Sequence, residues 1–336
     1  MDMFGDPALW LPFVFASLMG LSILIYVVLD GFDLGIGVLF PFASDSEKDS
    51  MIAAIGPFWD ANETWLVLAV GLLLVAFPVA HGAILTALYL PVAIMLLGLI
   101  LRGVAFEFRA KAPPQWKRFW NRAFFAGSLM TALSQGFMLG MYVMGLTWTL
   151  PHIAFASLTA VFLTVGYSFI GATWVIHKAE GRLQTKSIDW AQGGIWGLVL
   201  GIAAISAATP FVSQRIFDKW FDWPTMLYVA PLPILSAGVV IALWMMLARM
   251  PFGGDRLSWL PFAAASSLWA LAFGGMAYSF YPYVVPDRLT IYEAASAPES
   301  LFIILIGTLV VLPTILAYTV LSYIVFRGKA TALKYD

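Results

Sequence analysis

Leu21-Ser22-Ile23-Leu24-Ile25-Tyr26-Val27-Val28-Leu29-Asp30-Gly31-Phe32-Asp33-Leu34-Gly35-Ile36-Gly37-Val38-Leu39-Phe40 carries two carboxylates at the end of an apolar run that no soluble domain needs. Upstream the run continues to Leu11 without a charge. Crossing a hydrocarbon layer about 30 Å thick takes roughly 20 apolar residues, so this segment reads as a membrane span. It follows an acidic start, Asp2 and Asp6, and is too long, without a small-residue cleavage site, for a secretory signal peptide. It reads as a retained helix.

The rest of the chain repeats the pattern. Of 336 residues, 61% are apolar and 11% charged, whereas soluble domains hold about 45–50% and 25%. Apolar runs bounded by charge, proline or glycine fall at 10–40, 52–77, 80–106, 122–147, 154–176, 190–211, 226–248, 259–282 and 300–326. The expectation is an all-α integral membrane protein of about nine transmembrane helices, with 1–336 forming one transmembrane domain. A faint echo between Tyr26–Gly35 and Gly166–Thr173 suggests a first four-helix bundle over 10–147, a second over 154–282 and an extra helix over 300–326.

Nine crossings place the termini on opposite sides. With the N-terminus periplasmic, the cytoplasmic segments hold Lys48, Arg102, Arg109, Lys111, Lys117, Arg118, Arg122, Lys178, Arg182, Lys186, Arg249, Arg256, Arg327, Lys329 and Lys334. That leaves only Arg215, Lys219 and Arg288 of the 18 basic residues for the outside. The excess of cytoplasmic lysine and arginine selects this topology, with the C-terminus cytoplasmic. The net charge of −1 conceals the segregation, and nothing points to nucleic acid. The absence of cysteine excludes disulfides, cysteine-ligated iron–sulfur clusters and covalent c-type haem.

Three polar islands stand against the apolar background. Asp30-Gly31-Phe32-Asp33-Leu34-Gly35 places two carboxylates i,i+3 on one helix face. Gly56-Pro57-Phe58-Trp59-Asp60-Ala61-Asn62-Glu63-Thr64-Trp65 repeats the spacing with Asp60 and Glu63. Leu101-Arg102-Gly103-Val104-Ala105-Phe106-Glu107-Phe108-Arg109 brings a cation to compensate them and Glu107 to receive protons. All three enter from the cytoplasmic face. Ionisable groups inside a span cost about 2.5–3.5 kcal/mol on insertion scales and usually face a bundle interior or a water-filled path. Four carboxylates entering one leaflet repel unless some share or hold protons, which is the chemistry of a proton relay. The bland alternatives are snorkelling helix ends and, for Arg109, a charge that merely sets orientation.

His81, His152 and His177 lie near span ends and offer no facing pair for a bis-histidine haem. Trp116, Trp120, Trp148, Trp220, Trp223 and Trp259 suit the headgroup belt, whereas Trp59 and Trp65, inside the carboxylate stretch, are candidates for packing against a quinone or a partner. No phosphate-binding loop, metal-spaced histidine cluster or nucleophile triad is present.

In order and spacing, Asp30-Gly-Phe-Asp33-Leu-Gly35, Trp59-Asp60-Ala-Asn62-Glu63-Thr-Trp65, and Arg102 with Phe106-Glu107-Phe-Arg109 resemble the second subunit of cytochrome bd-type quinol oxidases. Gly171-Ala-Thr173, Lys178, Glu180-Gly181 and Leu183 extend the resemblance past the fifth span, and the short loops are similar to the cyanide-insensitive branch. Ala61 stands where many relatives carry glycine, and a small residue is retained.

The resemblance implies a haem-free subunit II in the bacterial inner (cytoplasmic) membrane. It would stabilise a subunit I that holds two haems b and one haem d, oxidises ubiquinol and reduces dioxygen to water. It implies no catalytic, cofactor or metal residue in this chain. Asp60 and Glu107 best match the family's proposed proton path, with Asp30, Asp33, Glu63 and Arg102 as further motif residues. A structural quinone, membrane lipids and a small single-helix subunit are further expected partners. The competing readings are a proton- or ion-coupled secondary transporter, whose site would sit near the midplane on broken helices, and a purely structural assembly subunit.

Overall fold

The computed structural model describes residues 6–212, 214–252 and 255–330. Among the described residues, nine helices are long and apolar enough to cross a membrane. The first, α1 (Pro7–Leu39), starts where the Asp6 carboxylate accepts the Ala8 amide at 2.9 Å, with Pro7 in the first turn. Its 33 residues reach about 50 Å at 1.5 Å per residue, which exceeds the hydrocarbon layer.

The span expected at 52–77 divides. A surface helix α2 (Asp45–Ile55) ends at Gly56, and α3 (Trp59–Ala76) begins beyond Pro57, because proline has no amide hydrogen to donate and its ring blocks a continuing helix. The span expected at 80–106 also divides, into α4 (Pro78–Ala87) and α5 (Tyr89–Lys111). Pro91 cannot donate to the carbonyl of Ala87, and the Trp148 indole donates to that oxygen instead at 2.9 Å.

Then come α6 (Pro114–Val143), α7 (Leu150–Lys178), α8 (Gly181–Val212), the short α9 (Gln214–Phe221) and α10 (Thr225–Val229), α11 (Pro231–Leu247) and α12 (Leu260–Phe280). A hairpin of β1 (Tyr283–Val285) and β2 (Leu289–Thr290), antiparallel, precedes α13 (Pro298–Val325).

Small residues let the long helices meet backbone to backbone. A Cβ on Gly35 of α1 would fall 1.7 Å from the Tyr167 carbonyl oxygen of α7, and one on Gly171 of α7 would fall 2.7 Å from the Ile36 nitrogen of α1. The same device joins α5 to α6, where a Cβ on Gly127 would lie 2.6 Å from the Arg102 nitrogen. In lipid, close packing and interhelical hydrogen bonds replace the hydrophobic drive between helices. The outer faces are correspondingly apolar and exposed, as at Val67, Leu97 and Val310.

One end of the bundle is basic and is tied across by α2. Ser44 and Glu47 form a capping box that starts this helix. Glu47 accepts from Lys186 of α8 at 3.0 Å, Asp49 pairs with Arg109 of α5 at 2.7 Å, and the Trp174 indole of α7 donates to the Ala54 carbonyl at 3.0 Å. The C-terminal segment closes over the same end. The Lys178 ammonium donates to the Phe326 carbonyl at 2.7 Å, and Lys329 pairs with Asp255.

Gly35→Val should lower stability by at least about 3 kcal/mol, because the nearest obstacle is backbone. Thermal unfolding of the detergent-solubilised protein, followed by tryptophan fluorescence, should show a large drop in midpoint. Gly71→Ala, at a position with nothing within 4 Å, should leave the midpoint unchanged.

The Ser44 backbone amide and the Lys186 ammonium hold the Glu47 carboxyl at about 2, below its ordinary 4.5. A carboxyl lowered on folding contributes its full stability above the unfolded value and loses it as pH falls through the folded one. The midpoint advantage of the native chain over Glu47→Gln should therefore persist above pH 4.5 and vanish as the pH falls toward 2.

Candidate functional site

Asp30 and Asp33 project from the last third of α1 and are 0% and 1% exposed. Ionised groups at that depth are costly unless paired, and the pairing comes from α5 and α3. Arg102, 2% exposed, places Nη1 2.7 Å from Asp30 Oδ1 and turns its other terminal nitrogen to Glu63 of α3 as an ion pair. One guanidinium thus joins three helices. Glu63 is the outer member, with 28% of its side chain exposed.

Asn62, the residue before Glu63, reaches the second carboxylate. Its Nδ2 donates to Asp33 Oδ2 at 2.8 Å and more weakly to the Leu29 carbonyl at 3.4 Å, while its Oδ1 accepts from the Tyr323 hydroxyl of α13 at 3.1 Å. Adjacent residues of α3 therefore reach different partners, Asn62 the Asp33 carboxylate of α1 and Glu63 the Arg102 guanidinium of α5.

A third branch leads inward. Gln135 of α6 donates from Nε2 to the Tyr26 hydroxyl at 2.5 Å and accepts at Oε1 from the Tyr167 hydroxyl of α7 at 2.8 Å. Tyr26 lies one helical turn before Asp30 on the same face of α1.

Several buried polar atoms in this region lack a hydrogen bond from any described residue: both Asp30 oxygens, Asp33 Oδ1, Arg102 Nε and Trp65 Nε1. The contact between Arg102 and Asp30 is an ion pair without hydrogen-bond alignment. A buried polar group with neither a hydrogen bond nor an ion pair costs about 1–3 kcal/mol.

The sequence-derived residues separate into two sets. Asp30, Asp33, Glu63 and Arg102 come together as a cluster, in which Arg102 is ion-paired with Asp30 and Glu63. Asp60 and Glu107 are exposed on the outer flank. Trp65 is fully buried, and Trp59 packs on Phe106 of α5 with ring centroids 5.0 Å apart. Arg109, read above as an orientation signal, is instead a buried strut. Its Nε donates to Asn121 Oδ1 at 2.6 Å, and it pairs with Asp49.

Sequence reading assigned no role to Asn62, Tyr26, Gln135, Tyr167 or Tyr323. Tyr26 is spaced i,i+4 from Asp30, and Gln135 is a lone amide in an apolar span, and both were signals to follow. Tyr323 had none.

The profile of the family described as cytochrome bd terminal oxidase subunit II matches residues 11–326. The chain belongs to that family. It is 30% identical over 332 residues to cytochrome bd ubiquinol oxidase subunit 2 of Bacillus subtilis (strain 168), covering 91% of this chain and 93% of the relative. To cytochrome bd-I ubiquinol oxidase subunit 2 of Escherichia coli (strain K12) it is 26% identical, covering 96% and 95%.

Its fold superposes on a chain of the bd oxidase from Geobacillus thermodenitrificans with a TM-score of 0.76 at 18% identity, covering 95% of this chain and 99% of that one. This subunit II is thus a multi-pass protein of the bacterial inner membrane and part of a terminal respiratory oxidase complex, in which a subunit I is its partner.

Arg102→Gln should leave Asp30 buried without its cation and cost about 3–5 kcal/mol. The expected readouts are a lower thermal midpoint and a lower yield of intact complex, with Asp30→Asn/Arg102→Gln recovering much of both.

Proposed function

We propose that this subunit II is haem-free, stabilises a haem-bearing subunit I, and supplies part of the path that brings cytoplasmic protons to the oxygen site of a quinol:oxygen oxidoreductase. The buried cluster of Asp30, Arg102 and Glu63, with Asp33 held by Asn62, carries this reading. Burial is graded: Asp60 and Glu107 are exposed, Glu63 is partly covered, and Asp30 and Asp33 are closed off.

A proton taken up at Asp60 or Glu107 passes to Glu63 and then past Arg102 to Asp30. Three carboxylates against one guanidinium reach neutrality only by holding protons, so the cluster can store them. Arg102 stays charged throughout and fixes the separation of its two acids. Asn62 and Tyr323 orient Asp33. The basic end, by its lysine and arginine excess, is the cytoplasmic one.

The haem-free reading rests on the donor set. His152 and His177 stand on the same helix, 25 residues apart in the sequence, which is roughly 37 Å, and His152 Nδ1 is engaged by Thr147 at 2.5 Å. His81 belongs to α4. His152 and His177 are thus too far apart to hold one haem between them. In this reading two haems b and a haem d belong to subunit I and supply the electron transfer and oxygen chemistry there. The names of the Bacillus and Escherichia relatives support ubiquinol as the substrate of the complex.

In this reading 10–147 is a first bundle, 154–282 a second and 300–326 an extra helix, with α7 packed against both α1 and α6 where the two would meet. Trp59 at the flank is the candidate for packing against a structural quinone or the partner. Lipids and a small single-helix subunit complete the assembly.

Co-expression with the neighbouring large subunit should give reduced-minus-oxidised bands of haems b and d in the complex and none in this chain alone. Asp60→Asn, and separately Asp30→Asn, should slow oxygen consumption about tenfold, equivalent to ~1.4 kcal/mol of barrier, while those bands persist. Native turnover in an intact variant complex would sink the relay role.

A further inference from the structure

At the basic end, the turn between α5 and α6 forms a pocket of about 380 Å³ walled by Phe108, Lys111, Trp116, Phe119 and Trp120. Three of its rings are more than half exposed: Phe108 at 58%, Trp116 at 56% and Phe119 at 54%. They are held as a set, since Trp120 packs on Phe108 and Phe119 with centroids 5.2 Å and 5.0 Å apart.

Lys111 is the charged residue of the pocket wall, and further charges stand on the same turn. Asp49 is already engaged by Arg109 at 2.7 Å and Lys117 at 3.6 Å. Lys111 in the pocket wall, and Arg118 and Arg122 on the first turns of α6, are exposed cations with no ion pair among the described residues. Glu107 lies one turn before Lys111 on α5, is exposed, and is not paired with it.

The pocket continues into an apolar stripe. Phe108, Val104, Ile100 and Leu97 lie on one exposed face of α5, descending from Lys111, where the apolar span ends. A lysine at headgroup depth, on a turn rich in basic residues and above an apolar track, is complementary to a molecule with an anionic head and a long hydrocarbon chain. A soluble anion would leave the rings and the stripe uncovered, and an apolar protein helix would leave the cations unpaired.

We propose that this pocket is a binding site for an anionic glycerophospholipid, with its phosphate at Lys111, its glycerol region against Trp116 and Phe119, and one acyl chain along the α5 stripe. Basic pockets between transmembrane helices are a general mode of anionic headgroup recognition.

The test uses the purified two-subunit oxidase, delipidated in detergent and titrated with dioleoyl phosphatidylglycerol or dioleoyl phosphatidylcholine under native mass spectrometry. The intact complex should retain phosphatidylglycerol in preference to phosphatidylcholine. Lys111→Gln should weaken phosphatidylglycerol binding about fivefold, the value of one basic residue at an anionic headgroup, without changing the haem spectrum, and Lys111→Arg should restore it.

Equal retention of the two lipids, or unchanged binding in Lys111→Gln, would overturn the proposal. A second measurement stands apart from that variant: a benzophenone amino acid placed at Phe119 and irradiated in membranes should cross-link to phospholipid. Cross-linking to subunit I or to any other polypeptide would show that the rings cover a protein interface and would reject the lipid assignment.

Discussion

The Arg102 guanidinium between Asp30 and Glu63 is the constraint on which the surrounding architecture depends. An arginine at the inner end of an apolar helix is tolerable only with its charge met, and carboxylates on α1 and α3 are tolerable only if a cation reaches them. Each makes the burial of the others affordable. For α5 to bring Arg102 inward, it must press against α6, and Gly98 and Gly127 remove the side chains that would keep the helices apart.

The same economy of volume governs the contact between α1 and α7. Gly35 and Gly171 bring the backbones together just beyond Asp30 and Asp33, so the helix that carries the acids is clamped beside them. The branch from Tyr26 through Gln135 to Tyr167 crosses from α1 to α6 and α7 a turn deeper. Small residues set the distance between helices, and single polar groups set their register.

At the basic end, charge works differently because water is near. The pairs of Glu47 with Lys186 and of Asp49 with Arg109 are partly exposed, and exposed pairs are individually worth little. Their effect is geometric: α2 and the C-terminal segment lie across helix ends that would otherwise be joined only by loops. The contrast with the buried cluster is one of dielectric: the same residue types act as fasteners at the surface and as a proton-holding unit inside.

Membrane insertion, the nine spans and the position of the three polar islands were legible in the sequence because they depend on local properties: apolar length, and ionisable residues where lipid disfavours them. The glycines around the two aspartates, Gly31 and Gly35, stand where close packing was open to them, and both meet α7. Tertiary structure alone decided which acid meets which base. Asp30 and Asp33 look equivalent in sequence, yet Arg102 takes the first and Asn62 the second, since three residues of helix turn their side chains toward different neighbours. Asp60 and Glu63 share a spacing, but only Glu63 points at Arg102. Gln135, Tyr167 and Tyr323 are separated from Asp30 by more than a hundred residues, and no local pattern encodes the helix crossing that brings them to it. Hydrophobicity fixes which segments enter the membrane, whereas the pairing of charges inside it follows from how those segments pack.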